Sequence, residues 1–194
     1  MRYVVFDVEC ISQDGVGVRG RIDIDAQDIT VVAAYDSLTD TYQSYAKEEL
    51  PKLWALLEKA DLLIGYNSDT FDIPLLNRYY PGDLSKIPSL DLLSEVYRTL
   101  GRRLRLDSIA QATLGVGKTG DGLKAQEWWR KGDVGKVREY CIADVRLTKE
   151  LYDYALKNGL FKYRDLREVR DMKLDTSAWS SRAAAPALTY TLSL

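Results

Sequence analysis

The stretch Arg2–Glu9, RYVVFDVE, decides the fold. Its apolar residues are β-branched or aromatic, and the run is the length of a buried strand. Successive side chains of a strand point to opposite faces. Asp7 and Glu9 therefore share one face, and Val4, Phe6 and Val8 line the other. Two adjacent carboxylates on a central strand repel and lose solvation, at a cost of several kcal/mol per buried ion unless paired. A bound divalent cation removes that conflict. A solvent-exposed strand end would avoid it, and the Asp-x-Glu pair alone leaves both readings open.

Outward from this strand, Gly15, Gly17 and Gly20 mark a loop and bend. Residues 21–24, 30–36 and 41–46 read as short strands of an antiparallel meander, with Asp36–Asp40 (DSLTD) as a turn. Residues 47–59 predict a helix with Leu50, Leu53, Trp54 and Leu57 on one face. A buried strand follows at 61–66, then a short helix at 72–80 with Pro74 in its first turn. Helices are expected at 90–100, 106–114, 123–131 and 134–157, the last stopped by Lys157, Asn158 and Gly159. Residues 160–174 read as one or two edge strands. The segment from Trp179 is rich in Ala, Ser and Thr and weakly structured by its sequence. There is no internal repeat. A meander followed by alternating helix and strand points to an α/β domain, a mixed sheet flanked by helices, over residues 1–178, with a tail at 179–194.

Composition narrows the chemistry. The 194 residues suit one domain, and 46% apolar with 29% charged residues is the balance of a globular protein. No run approaches the ~20 apolar residues of a membrane span. Asp7 and Glu9 interrupt the opening apolar stretch as no signal-peptide core would, so a cytoplasmic location is expected. The two cysteines suit a reduced compartment and cannot form a four-cysteine zinc site. The formal charge is −2, so nucleic acid would be gripped locally and not through overall charge. Histidine is absent, which excludes Ser–His–Asp and Cys–His catalysis and His-ligated zinc. What remains is carboxylate, Tyr or Lys chemistry, or a metal held by oxygen: Mg²⁺, Mn²⁺ or Ca²⁺.

Other candidates carry two readings each. Asp72 opens a predicted helix, where an acid is stabilising whether or not it is catalytic. Asn67 is a common turn residue. Tyr140 and Asp144 lie four apart on the long helix and share a face. They could orient a water and hold a metal, or form a surface pair with Arg138 and Arg146 nearby as salt-bridge partners. Arg98, Arg102, Arg103 and Arg105 could meet phosphates or decorate a solvated helix end. Lys118 and Lys124 flank a glycine loop at 115–122 that contains GKT but lacks the first glycine of a phosphate loop, which removes nucleoside triphosphate binding. Trp128 and Trp129 could stack on bases or close the core.

The motifs FDVEC (Phe6–Cys10), GYNSDTFD (Gly65–Asp72) and YCIAD (Tyr140–Asp144) resemble the three exonuclease motifs of the DEDD superfamily, tyrosine subtype. The likeness is to the proofreading domain of family-B DNA polymerases and its stand-alone relatives. Leu106–Gly115, LDSIAQATLG, resembles the stretch before the third motif, and the likeness spans about residues 3–157. It implies a ribonuclease-H-like fold and a metal-dependent 3′–5′ exonuclease acting on single-stranded nucleic acid with a free 3′ end, DNA before RNA. An RNA-trimming enzyme and a non-catalytic nucleic-acid-binding module of the same fold are the alternatives. The resemblance also implies two divalent cations, Mg²⁺ or Mn²⁺. Asp7 would bridge both. Glu9 and Asp144 would hold the one on the side of the attacking water, and Asp72 the other. Tyr140 would orient the nucleophile, its ordinary pKa of ~10 making it a poor base. Asn67 and Phe71 match positions that touch the terminal nucleotides, although Phe71 could equally be core. These 194 residues hold no room for a polymerase domain, which leaves the natural substrate open.

Overall fold

Strand β1 (Tyr3–Ser12) lies at the centre of a five-stranded sheet. The structure, a computed structural model, describes residues 1–12, 23–117 and 122–179. On one side of β1, strands β2 (Gln27–Asp36) and β3 (Thr41–Ala46) form the antiparallel meander. On the other side β4 (Leu62–Gly65) and β5 (Ser89–Asp91) run parallel to it, giving the order β3-β2-β1-β4-β5. The period of two sorts the side chains as the sequence predicts. Val4, Phe6 and Val8 pack with Val32, Ala34 and Leu63 beneath helices α1 (Leu50–Leu57) and α2 (Asp72–Asn77). Val5, Val31, Ala33 and Ile64 pack on the opposite face.

That second face is covered by α3 (Leu92–Leu100), α4 (Leu106–Leu114) and the 25-residue α6 (Val134–Asn158). Helix α6 buries Val137, Cys141, Val145, Leu151, Tyr152 and Ala155, a stripe at helical spacing laid across β1 and β2. Asp133 caps its start by accepting from the Lys136 amide, and Gly159, at φ 67°, ends it in the left-handed conformation that glycine adopts without strain. Helix α5 (Gly122–Arg130) brings the half-buried Trp128 and Trp129 against the same core. Among the described residues no helix is long and apolar enough to cross a membrane.

Several expectations need correction. Residues 23 and 24 belong to no strand; positions 21 and 22 and Gly15, Gly17 and Gly20 lie outside the described residues, as do Lys118 and the rest of the glycine loop at 119–121. The helix expected at 47–59 begins as a 3₁₀ turn at Lys47–Glu49 and becomes α-helical at Leu50, beside Pro51, whose missing N–H suits a first turn. Helix α2 stops at Asn77. Leu90 and Asp91, read as helix, belong to β5, and the Asp91 carboxylate caps α3 by accepting from the Leu93 and Ser94 amides. Residues 160–174 do not extend the sheet: β6 (Leu160–Asp165) and β7 (Glu168–Lys173) pair only with each other. Residues 180–194 lie outside the described residues, but Trp179, where the tail was expected to begin, is fully buried.

Candidate metal centre

β1 is longer than the strand beside it. Its pairing with β4 covers only Tyr3–Val5, so the far half of β1 has a free edge on that side. Helix α2 fills the gap with a carboxylate: Asp72 Oδ1 accepts from the Val8 amide at 3.0 Å. This places Asp72, the first residue of α2, beside the chain segment that carries Asp7 and Glu9. A bulge between Glu9 and Cys10 shifts the register with β2, and there Thr30 Oγ1 donates to the Glu9 carbonyl at 2.9 Å. Bulges of this kind re-aim side chains near a functional edge.

Helix α6 crosses over the face that presents Asp7 and Glu9. Cys141 Sγ contacts the Asp7 carbonyl oxygen at 3.3 Å and its Oδ2 at 3.6 Å, fixing the helix against the strand. Tyr140, the residue before that contact, and Asp144, about one turn after it, are brought to the same place. Both are buried, at 5% and 3% exposure, so they are not a surface pair. Ligand oxygens of Asp7, Glu9 and Asp144 all lie within 4.8 Å of one another. Asp72 stands outside that trio and adjoins Asp7. The arginines that the sequence offers to Asp144 are otherwise engaged: Arg138 pairs with Glu49, and Arg146 lies over the Tyr42 ring, 5.1 Å from its centroid. Trp128 packs edge-on against the Tyr140 ring at 6.1 Å.

The electrostatics follow from this crowding. Burial, and then the charge of Asp7, hold the Asp72 carboxyl well above the usual carboxylate range. Burial pushes the Cys10 thiol up to about 12, with Glu9, Asp72 and Asp7 adding to it. Burial does the same to Cys141, reinforced by Asp7, Glu9 and Asp144. Both shifts favour the neutral thiol over the thiolate. The donor set is carboxylate oxygen only, which fits a hard divalent cation such as Mg²⁺ or Mn²⁺.

Asn67 and Phe71 lie in the turn from β4 into α2. Asn67 sits in the left-handed region at φ 74°, its amide donating to Asp91 Oδ1 at 2.7 Å. Phe71 is half-buried and packs against the core beneath α1 and α2. Gly65 is required just before this turn, because a Cβ there would lie 2.4 Å from Ser68 Cβ. A groove of about 430 Å³ borders Tyr140, Asp144, Arg146 and Val116 along α6 and does not include Asp7 or Glu9. The contact of Cys141 with Asp7 escaped the sequence reading. Its signal is the position next to Tyr140 and three before Asp144, which faces the strand whenever those two do.

Comparison with known proteins agrees with this architecture. A family model described as the RNase H superfamily matches residues 4–156. No curated protein matches the chain. Among solved structures, the family B DNA polymerase from the hyperthermophilic archaeon Pyrobaculum calidifontis superposes with a TM-score of 0.62 at 20% identity. That similarity covers 80% of this chain and 24% of the polymerase, so it speaks to the fold of one region of that larger chain.

Proposed function

The chain belongs to the RNase H superfamily, and from that premise we propose that it is a 3′–5′ exonuclease that removes nucleotides from single-stranded DNA. The observation that carries this reading is the convergence of Asp7, Glu9 and Asp144 oxygens within 4.8 Å, with Asp72 and Tyr140 beside them. Asp7, Glu9 and Asp144 would hold one cation, and Asp7 with Asp72 a second. Such a pair of Mg²⁺ or Mn²⁺ ions supplies Lewis-acid stabilisation of the attacking and leaving oxygens of a phosphodiester. The protein's own share is positioning. Asp7 and Glu9 are fixed by the sheet, Asp144 by the long helix, and Asp72 by its bond to the Val8 amide. The Tyr140 hydroxyl orients the attacking water, while Trp128 restrains the ring that carries it. Asn67 and Phe71 receive the terminal nucleotides. The burial of Asp72 and Asp144 keeps bulk water from competing for these oxygens.

The test uses 5′-labelled single-stranded DNA, RNA and duplex with Mg²⁺ or Mn²⁺. A ladder shortening from the 3′ end of single-stranded DNA, abolished by chelator, is expected. Full activity in excess chelator would overturn the metal assignment, and cutting of a circular single strand would indicate an endonuclease. RNA degraded in preference to DNA would move the substrate to the RNA-trimming alternative.

Tyr140→Phe removes one hydroxyl and leaves the packing on Trp128 in place. Single-turnover cleavage at saturating Mn²⁺ should fall by about one to two orders of magnitude, because a misplaced reacting group costs ~10²-fold. Metal affinity should hardly change. Equal rates for Tyr140→Phe and wild type would remove the phenol from the mechanism.

A further inference from the structure

The loop between α3 and α4 carries three arginines, and the structure separates them. Arg102 pairs with Asp165 at 3.4 Å and lies over the Tyr163 ring. Arg105 pairs with Asp107 at 3.4 Å. Arg103 is exposed and donates through Nη2 to a neutral acceptor, Asn67 Oδ1; among the described residues it makes no ion pair. The loop is tied to the end of β4 by the Tyr66 hydroxyl, which donates to the Leu104 carbonyl at 2.8 Å. Burial raises the Tyr66 pKa, Asp91 and Asp107 add to that, and the Arg103 charge opposes them, in keeping with a guanidinium close to that hydroxyl.

The hydrogen-bond pattern at Asn67 fixes which chemistry faces outward. Its Oδ1 accepts from Arg103 and from Thr70 Oγ1, the latter at 2.7 Å. A guanidinium is donor-only, so the amide oxygen must turn toward it and the Nδ2 hydrogens away. Among the described residues no acceptor takes those hydrogens. Among the described residues, four of the five guanidinium N–H groups also remain to be used. The backbone beneath is held rigidly, by the Asn67 and Asp69 amides on Asp91 and by the Phe71 amide on the Asn67 carbonyl at 3.1 Å. Asp69, the one acid in this turn, accepts from Ser89 Oγ at 2.7 Å. A donor-rich corner carrying one guanidinium, five residues before Asp72, suits an oxyanion, and a bidentate guanidinium suits phosphate in particular.

Resting on the exonuclease reading of the neighbouring carboxylates, we propose that Arg103, with the Asn67 amide, grips a backbone phosphate of the single strand whose 3′ end enters the metal centre. Arg103 would then be the residue that distinguishes a polynucleotide from a lone nucleotide. The neutral bond to Asn67 holds the guanidinium in place until a phosphate adds the charge that Asn67 lacks.

The experiment measures binding of a 5′-fluorescein oligothymidylate to the full chain in Ca²⁺ across a range of salt. Four proteins are compared: wild type, Arg103→Gln, Arg103→Lys and Lys59→Gln, a charge-matched control on the far side of the sheet. Arg103→Gln should weaken binding about 10-fold at low salt and reduce the slope of log affinity against log salt by about 0.7, the value for one phosphate of a single strand. Arg103→Lys should keep most of the slope. A purely structural role through Asn67 would lower affinity without changing the slope, and would overturn the proposal. So would Arg103→Gln behaving like Lys59→Gln. Cleavage by wild type in Mn²⁺ is scored separately. A chain that binds through Arg103 and cuts nothing keeps this site and loses the exonuclease reading. A chain that cuts, with Arg103→Gln binding unchanged, loses only this site.

Discussion

Asp7→Asn is expected to abolish cleavage and to make the metal-free protein more stable. The substitution keeps the shape of the side chain and removes a charge that crowds Glu9, Asp144 and Asp72. Loss of a group central to a catalytic set costs about 10⁴-fold or more in single-turnover rate. The stability gain has the opposite sign because the four carboxylates crowd one buried place. Asp72 makes the sign explicit. Its pKa in the folded chain lies above the ordinary 3.8, so the folded state keeps the proton to higher pH than the unfolded state. The cost of its charge is absent in acid and appears as pH rises past that ordinary value. Removing Asp7 lowers the cost, so the gain should grow from about pH 4 upward and reach about 1 kcal/mol near neutrality. Thermal melts with and without Mn²⁺ check this. Wild type should be stabilised by the ion and Asp7→Asn should not. A variant that melts lower than wild type without metal, or that cleaves at the wild-type rate, would refute the corresponding half.

The residues that assemble this centre were legible because they obey short periods. Two-residue spacing put Asp7 and Glu9 on one face of β1, and four-residue spacing put Tyr140 and Asp144 on one face of α6. What the periods could not convey was which faces meet. Nothing local says that α6 lies over β1 rather than along another strand; that depends on the small Ala33 opposite Asp7 and on Cys141 fitting beneath. The strand β5 was missed for a local reason. Its Ser89–Asp91 runs directly into α3, so Leu90 and Leu93 mimic one apolar helix face, and only the capping role of Asp91 marks the break. The four arginines at 98–105 looked alike in sequence. Their partners, Glu95, Asp165, Asn67 and Asp107, span from 2 to 63 positions away, and only the fold tells them apart.

Trp179→Ala should be among the most destabilising single changes in the chain. In sequence this tryptophan opens a segment of small residues with no periodicity, and its burial is wholly a product of long-range packing. The indole is 0% exposed and stacks on Tyr152 of α6 at 5.9 Å with the rings 12° apart. Its Nε1 donates to Glu95 Oε2 of α3 at 3.4 Å. The ring therefore joins the two helices, and β7 leads the chain to it. Truncating a buried tryptophan to alanine costs ~3–5 kcal/mol from lost burial and the cavity left behind. Against a typical total of ~5–15 kcal/mol, that is about a fifth of the stability or more. Glu95 keeps its ion pair with Arg98, so the loss is of packing and not of a stranded charge. Urea unfolding should show a lower midpoint with an unchanged slope, and Trp179→Phe should recover part of the difference. The proposed centre on α6 lies about two to three turns from Tyr152, so the folded fraction should retain a near-normal rate per molecule at low temperature and lose activity early on warming. A midpoint equal to that of wild type would mean that the chain after β7 merely rests on the domain instead of closing its core.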